Sequence, residues 1–227
     1  MSVPGAMGHS GGPTDEGAMR RPRPLCVKIC GLTRAGDVEA AIAAGADLLG
    51  FNFHPGSARY VTPEDAAPMI RLLPRHVLAV GIFVDPSVDE VRRAIDVAGV
   101  RLLQFHGDEN AAFCAGFGVP AMKALRVRRL ADVETAALAY PAEWWLLADS
   151  FDPRRHGGTG RALDPEVIDA DLARRLFLAG GLTPETVAAA VRVLRPLGVD
   201  VCSGIEASPG CKDRARLRAF VSHAKTA

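Results

Sequence analysis

The chain has 227 residues, 48% of them hydrophobic, and its 27 basic and 26 acidic side chains nearly cancel to a formal charge of +1. That length suits one α/β domain with a large core, and the balance lacks the basic excess with which polyanion-binding proteins attract nucleic acid. Nine Phe, two Trp and two Tyr leave little aromatic surface for stacking on bases, and no apolar run approaches the ~18 residues a membrane helix needs.

Met1 to Pro24 is rich in Gly, Pro, Ser and Arg. It has neither an apolar secretory core nor an amphipathic pattern, so it reads as a disordered extension ahead of a domain spanning 25–227. Five cysteines stand at 26, 30, 114, 202 and 211, with no Cys-x-x-Cys pair and no His-x3-His to complete a zinc site. The expectation is a reduced, cytoplasmic protein without a bound metal.

From Leu25 onward one unit recurs eight times: a short apolar run, a polar or glycine corner, a helix-start signal, then a helical stretch. The apolar runs are Cys26–Cys30, Leu48–Phe53, Leu78–Val84, Leu102–His106, Ala121–Val127, Trp144–Ser150, Arg175–Ala179 and Val199–Cys202. Between them, Val88–Val97 and Glu185–Leu194 show helical periodicity. Thr62-Pro63, Asp85-Pro86, Asp164-Pro165 and Thr183-Pro184 each set a capping side chain before a proline at the first helical position. Gly45, Gly99, Gly118 and Gly198 stand where helices should end. Alternating strand and helix means parallel strands covered by helices, and eight units in about 200 residues predict a closed (β/α)8 barrel. The alternative, an open doubly wound sheet, would carry Gly-x-Gly-x-x-Gly after its first strand. Gly31-Leu-Thr-Arg-Ala-Gly36 lacks it.

A barrel places its chemistry at the C-terminal ends of its strands. Those ends carry Lys28 and Cys30, Asn52 and His54, Asp85, Gln104 and His106, Lys123, Asp149, Gly180-Gly181, and Asp200, Ser203 and Gly204. The two-residue strand period puts Lys28 and Cys30 on one face, where an ammonium would favour the thiolate. The competing role for Lys28 is an ion pair with Asp200 or Asp149, and for Cys30 a small buried hydrophobe. Asp149 ends an otherwise apolar strand, where low-dielectric walls raise a carboxyl pKa toward that of a neutral-pH general acid. The long segment Phe151–Ala162, with Gly157, Gly158 and Gly160, reads as a binding loop. Gly180-Gly181 and Ser203-Gly204 follow the seventh and eighth strands, where barrels build phosphate sites from loop N–H groups and a helix N-terminus.

These motifs taken together resemble phosphoribosylanthranilate isomerases. Lys28-Ile-Cys30-Gly31, Gly50-Phe-Asn-Phe-His-Pro55, Ser57-Ala-Arg59-Tyr60, Gly81-Ile-Phe-Val84, Gln104-Phe-His106-Gly107, Asp149-Ser150, Gly157-Gly-Thr-Gly160, Ala179-Gly-Gly-Leu182 and Asp200-Val-Cys-Ser-Gly-Ile-Glu206 run in family order over about residues 25–225. The resemblance implies an Amadori rearrangement in tryptophan biosynthesis, acting on a small phosphorylated substrate without metal or organic cofactor, in a monomer or homodimer. On the family pattern Cys30 matches the general base, Asp149 the general acid and Arg59 the residue facing the anthranilate carboxylate. Gly180, Gly181, Ser203 and Gly204, with Gly157 and Gly158, match the phosphate cradle. Lys28, Gln104, His106 and Asp200 are expected around the substrate. Ser150 and Cys202 depart mildly from the family pattern. A related histidine-pathway isomerase or a bifunctional enzyme is the nearest alternative, but such enzymes use an aspartate at the first strand tip. A cysteine-based metal or redox module is disfavoured by the irregular cysteine spacing.

Overall fold

The structure is a computed structural model that describes residues 24–126, 131–149 and 170–227. Eight parallel strands close into a barrel in chain order: β1 (Cys26–Ile29), β2 (Leu48–Asn52), β3 (Leu78–Phe83), β4 (Leu102–Phe105), β5 (Ala121–Arg126), β6 (Trp145–Asp149), β7 (Leu176–Leu178) and β8 (Gly198–Val201). Closure comes from β1 against β8, with Lys28 opposite Asp200 and Ile29 opposite Val201. Around the barrel run α1 (Ala35–Ala44), α2 (Pro63–Ile70), α3 (Val88–Arg93), α4 (Ala111–Ala115), α5 (Ala131–Ala137), α6 (Ala170–Ala173), α7 (Val187–Leu194) and α8 (Arg214–Lys225). After β8 a short hairpin, β9 (Glu206–Ser208) and β10 (Cys211–Lys212), precedes α8.

The strand period sorts the side chains into two cores. Leu48, Val80, Leu102, Met122, Leu147 and Phe177 fill the barrel interior. Val27, Ile29, Leu49, Phe51, Phe83 and Phe105 point outward into the layer shared with the helices. The inward parity of the interior residues continues up the strands to Cys30, Asn52, Gln104, His106, Asp149, Asp200 and Cys202. These polar tips therefore close the mouth above an apolar plug.

Helix starts follow the sequence signals in part. Thr62 caps α2, accepting from the Asp65 N–H at 3.1 Å. Asp85-Pro86, by contrast, does not open α3. Ser87 does, because its hydroxyl and the Glu90 carboxylate satisfy each other's backbone N–H groups in a capping box. Asp85 adopts φ 46° and uses its carboxylate to accept from the Asp108 N–H at 2.7 Å, tying two loops at the mouth. Thr183-Pro184 forms a turn, and α7 begins three residues later at Val187. Gly45 and Gly99 end helices in the left-handed conformation as expected. Arg195 takes that role for α7, while Gly198 is the first residue of β8, pressed against the Phe177 ring. Gly116, not Gly118, caps α4. Asp164-Pro165 and the extension to Arg23 lie outside the described residues.

Among the described residues no helix is long and apolar enough to cross a membrane. None of their His, Cys, Asp and Glu side chains gather in threes to hold a metal ion.

Candidate active site

A cavity of about 210 Å³ opens at the C-terminal mouth. It is lined by Cys30, Asn52, Gln104, His106, Asp149, Asp200, Cys202 and the two glycine corners. Three groups of side chains shape it.

The first surrounds Cys30. Its backbone N–H donates to the Val201 carbonyl at 2.9 Å, so β8 fixes where the sulfur points. The Cys202 thiol hydrogen-bonds the Cys30 sulfur and pulls the Cys30 pKa well below its ordinary value; burial opposes this, and Lys28 and Lys212 reinforce it. Cys202 is correspondingly held protonated by the anionic Cys30, by burial and by Glu206, to whose Oε1 its thiol donates at 3.7 Å. Lys28 is fully buried below the cavity, with its Nζ 3.0 Å from Asp200 Oδ1. Burial would discharge the ammonium, but the Asp200 and Cys30 anions outweigh that and raise its pKa. Burial pushes Asp200 up to about 7 against the pull of Lys28, helped by negative charge on Cys30 and, when it is ionised, on Asp149.

The second group is a chain of polar tips from β4 to β6. Gln104 Nε2 lies 3.3 Å from His106 Nδ1, and His106 Nε2 lies 2.9 Å from Asp149 Oδ2. With the Gln104 amide donating to Nδ1, the ring proton sits on Nε2 and points at Asp149. Thus Asp149 has a histidine beside it, where the sequence suggested apolar walls alone. Gln104 Oε1 is buried and has no protein partner among the described residues.

The third group lies beyond β8. Glu206 takes the guanidinium of Arg59 in a fork (Nε 3.1 Å, Nη2 2.5 Å) and the ammonium of Lys212 at 2.9 Å. Lys212 also donates to the Cys202 carbonyl at 3.2 Å. Burial disfavours the Glu206 anion, yet hydrogen bonds from Arg59 and Lys212 hold its pKa at about 2.

The glycine corners meet face to face. Gly180 and Gly181 take φ of 79° and 70°, the left-handed region open to glycine. A Cβ on Gly204 would overlap the Leu182 carbonyl oxygen, so only glycine lets the two corners approach this closely.

The family model described as N-(5'phosphoribosyl)anthranilate (PRA) isomerase matches residues 27–223. The chain belongs to this isomerase family. The N-(5'-phosphoribosyl)anthranilate isomerase of Dechloromonas aromatica is 45% identical over 201 residues, spanning 88% of this chain and 96% of that one. Its counterpart from Thiobacillus denitrificans is 48% identical over 202 residues, spanning 88% and 97%. The crystal structure of phosphoribosyl anthranilate isomerase from Thermotoga maritima superposes with a TM-score of 0.78 at 34% identity, covering 89% of this chain and 100% of that one. A phosphoribosyl anthranilate isomerase solved in complex with reduced 1-(o-carboxyphenylamino)-1-deoxyribulose 5-phosphate gives 0.76 at 34% identity, with the same coverage. The (β/α)8 barrel expected from the strand-helix alternation is thus the fold of the phosphoribosylanthranilate isomerase family.

Of the residues singled out from sequence, Cys30, Asp149, Gln104, His106, Asp200, Gly180, Gly181, Ser203 and Gly204 lie together on the cavity wall. Lys28 lies beneath it, and Arg59 lies to one side, against Gly31 and Glu206. Gly157 and Gly158 fall outside the described residues. Three other strand-end residues, His54, Asp85 and Lys123, lie off the cavity wall. Asp85 braces the β3 and β4 loops, and Lys123 sits on the outward parity of β5, donating to Glu109 at 2.7 Å.

Sequence reasoning missed Lys212. Nothing in Gly210-Cys-Lys-Asp213 marks it as inward, and only the β9–β10 pairing, with Lys212 opposite Glu206, carries it back under the mouth. Cys202 stood out in the sequence only as a departure from the family pattern; its signal was its parity with Asp200, which matches that of Cys30 with Lys28.

Proposed function

We propose that this chain catalyses the Amadori rearrangement of N-(5'-phosphoribosyl)anthranilate to 1-(2-carboxyphenylamino)-1-deoxyribulose 5-phosphate in tryptophan biosynthesis, with Cys30 as general base and Asp149 as general acid. The observation that carries this reading is that Cys30, its pKa well below that of an ordinary thiol, opens on the same cavity as Asp149 and both glycine corners.

The substrate phosphate binds the N–H groups of Gly180-Gly181 and Ser203-Gly204, with Gly157 and Gly158 as further candidates. This end anchors the sugar so that its ring oxygen faces Asp149. Asp149 gives its proton to that oxygen, the C1′–O bond breaks, and the nitrogen lone pair forms the C1′=N bond of a Schiff base. The His106 Nε2–H stabilises the carboxylate left behind. The Cys30 thiolate then removes the C2′ proton, and the electron pair flows to the nitrogen to give an enolamine that tautomerises to the ketone. Base and acid must hold opposite protonation states at one pH. Lys28, Cys202 and Lys212 serve the thiolate side of that requirement. Gln104 Oε1 is an acceptor for a sugar hydroxyl. Arg59, with Nε and Nη2 on Glu206, keeps Nη1 for the anthranilate carboxylate.

A cytoplasmic monomer or homodimer fits this reading; monomers of the dimeric Thermotoga maritima enzyme have also been crystallised. The test is turnover of phosphoribosylanthranilate by the purified protein, followed as loss of its fluorescence. The aminoimidazole carboxamide substrate of histidine biosynthesis serves as the comparison. Turnover of the first alone is expected, and comparable turnover of the second would replace this reading with a bifunctional one.

A further inference from the structure

We propose that Cys30 and Cys202 form a peroxide-sensitive thiol pair whose conversion to an intramolecular disulfide reversibly switches the site off. The loss of activity rests on the reading of Cys30 as the catalytic base; the disulfide itself does not.

The geometry is that of neighbours across the barrel seam. β1 and β8 pair with Ile29 opposite Val201, and the Cys30 N–H donates to the Val201 carbonyl at 2.9 Å. Cys30 and Cys202 are the next residues on the two chains, on one parity and facing one cavity. Adjacent strands run about 4.8 Å apart, inside the ~4.4–6.8 Å range of Cα separations that a disulfide spans. The Cys202 sulfur lies close to the backbone just after Cys30, since a Cβ on Gly31 would come within 2.8 Å of it. Both thiols are half-buried on the cavity wall, where a molecule as small as hydrogen peroxide can reach them.

The chemistry runs in two balanced steps. The Cys30 thiolate attacks one peroxide oxygen and the O–O bond breaks, leaving Cys30 sulfenic acid and hydroxide, which leaves as water after taking a proton. Cys202 sulfur then attacks the sulfenic sulfur, the S–O bond breaks, and the Cys202 proton leaves with the hydroxyl as a second water. Two thiols lose two electrons and one peroxide gains them. The neighbours favour this order. While Cys30 is anionic it keeps Cys202 protonated. Once Cys30 becomes a neutral sulfenic acid the largest part of that hold is gone; Lys212 Nζ, 3.7 Å from Cys202 Sγ, favours the attacking thiolate, and Glu206 Oε1, also 3.7 Å from it, accepts the departing proton's hydrogen bond. Cys26 and Cys114 are poor competitors, because burial pushes both thiols up, Cys114 to about 11.

The experiment exposes the full-length wild type and Cys202→Ser to hydrogen peroxide, then maps disulfides by non-reducing peptide mass spectrometry and assays activity before and after dithiothreitol. The wild type is expected to yield a Cys30–Cys202 linked peptide two hydrogens lighter, lose activity, and recover it on reduction. Cys202→Ser, compared with its own untreated activity, is expected to pass to Cys30 sulfinic acid and stay inactive after reduction. Absence of the linked peptide in the inactivated wild type would overturn the pair. A linked peptide with activity retained would uphold the pair and overturn Cys30 as the base.

Discussion

Lys28 and Asp200 form a buried ion pair at 3.0 Å beside Cys30, whose charge both of them feel. The two charges act on the thiol in opposite directions. Replacing Lys28 with Met removes a cation and raises the Cys30 pKa, so the acid limb of the kcat/KM–pH profile moves to higher pH. Replacing Asp200 with Asn removes an anion and moves that limb to lower pH. Lys28→Met also removes the cation that holds the Asp200 pKa down to about 7, so Asp200 takes up a proton near neutral pH in the variant. Opposite displacements in two pH–rate profiles are the expected result.

Asp149 and His106 are separable. Asp149→Asn is expected to lower kcat roughly 10²–10⁴-fold, the usual contribution of a general acid. His106→Gln leaves the acid in place but removes the ring N–H from Asp149 Oδ2, so kcat falls by a smaller factor while KM moves little. Steady-state kinetics on both variants checks this.

Glu206 links function to acid stability. Its pKa is about 2 in the fold against an ordinary 4.5. A carboxylate with a depressed folded pKa contributes stability that is present above 4.5 and lost as the pH falls toward 2. Glu206→Gln should therefore have a lower Tm at neutral pH and a flatter Tm profile below pH 4.5 than the wild type. Arg59→Ala should raise KM more than it lowers kcat, because the substrate carboxylate loses its cation.

Gly204→Ala places a methyl against the Leu182 carbonyl and forces the two glycine corners apart. The expected outcome is a weaker affinity for substrate and for inorganic phosphate as a competitive inhibitor, read as raised KM and Ki with kcat much less affected.

The barrel was legible because each strand ends in a glycine or polar corner and each unit repeats the same order. Placement at the C-terminal ends of strands then gathered Cys30, Asp149, Gln104, His106 and Asp200 at the mouth. That rule failed at Lys123, the third residue of β5, which lies on the outward face and pairs with Glu109. Cap signals failed where two capping groups compete within three residues, as Asp85 does with Ser87, because local sequence does not say which one the tertiary contacts will engage. The contributions of Lys212 and Glu206 were hidden for a different reason. They meet across a hairpin after the last strand, and no periodicity announces a contact set by loop closure.

Removal of the C2′ proton by the Cys30 thiolate is the step on which the proposed reaction turns. Its most direct test is kcat of Cys30→Ala with phosphoribosylanthranilate, measured alongside circular dichroism to show that the barrel is retained. With Cys30 as the base, kcat falls roughly 10²–10⁴-fold in a folded protein; a folded Cys30→Ala variant turning over near the wild-type rate would contradict that role.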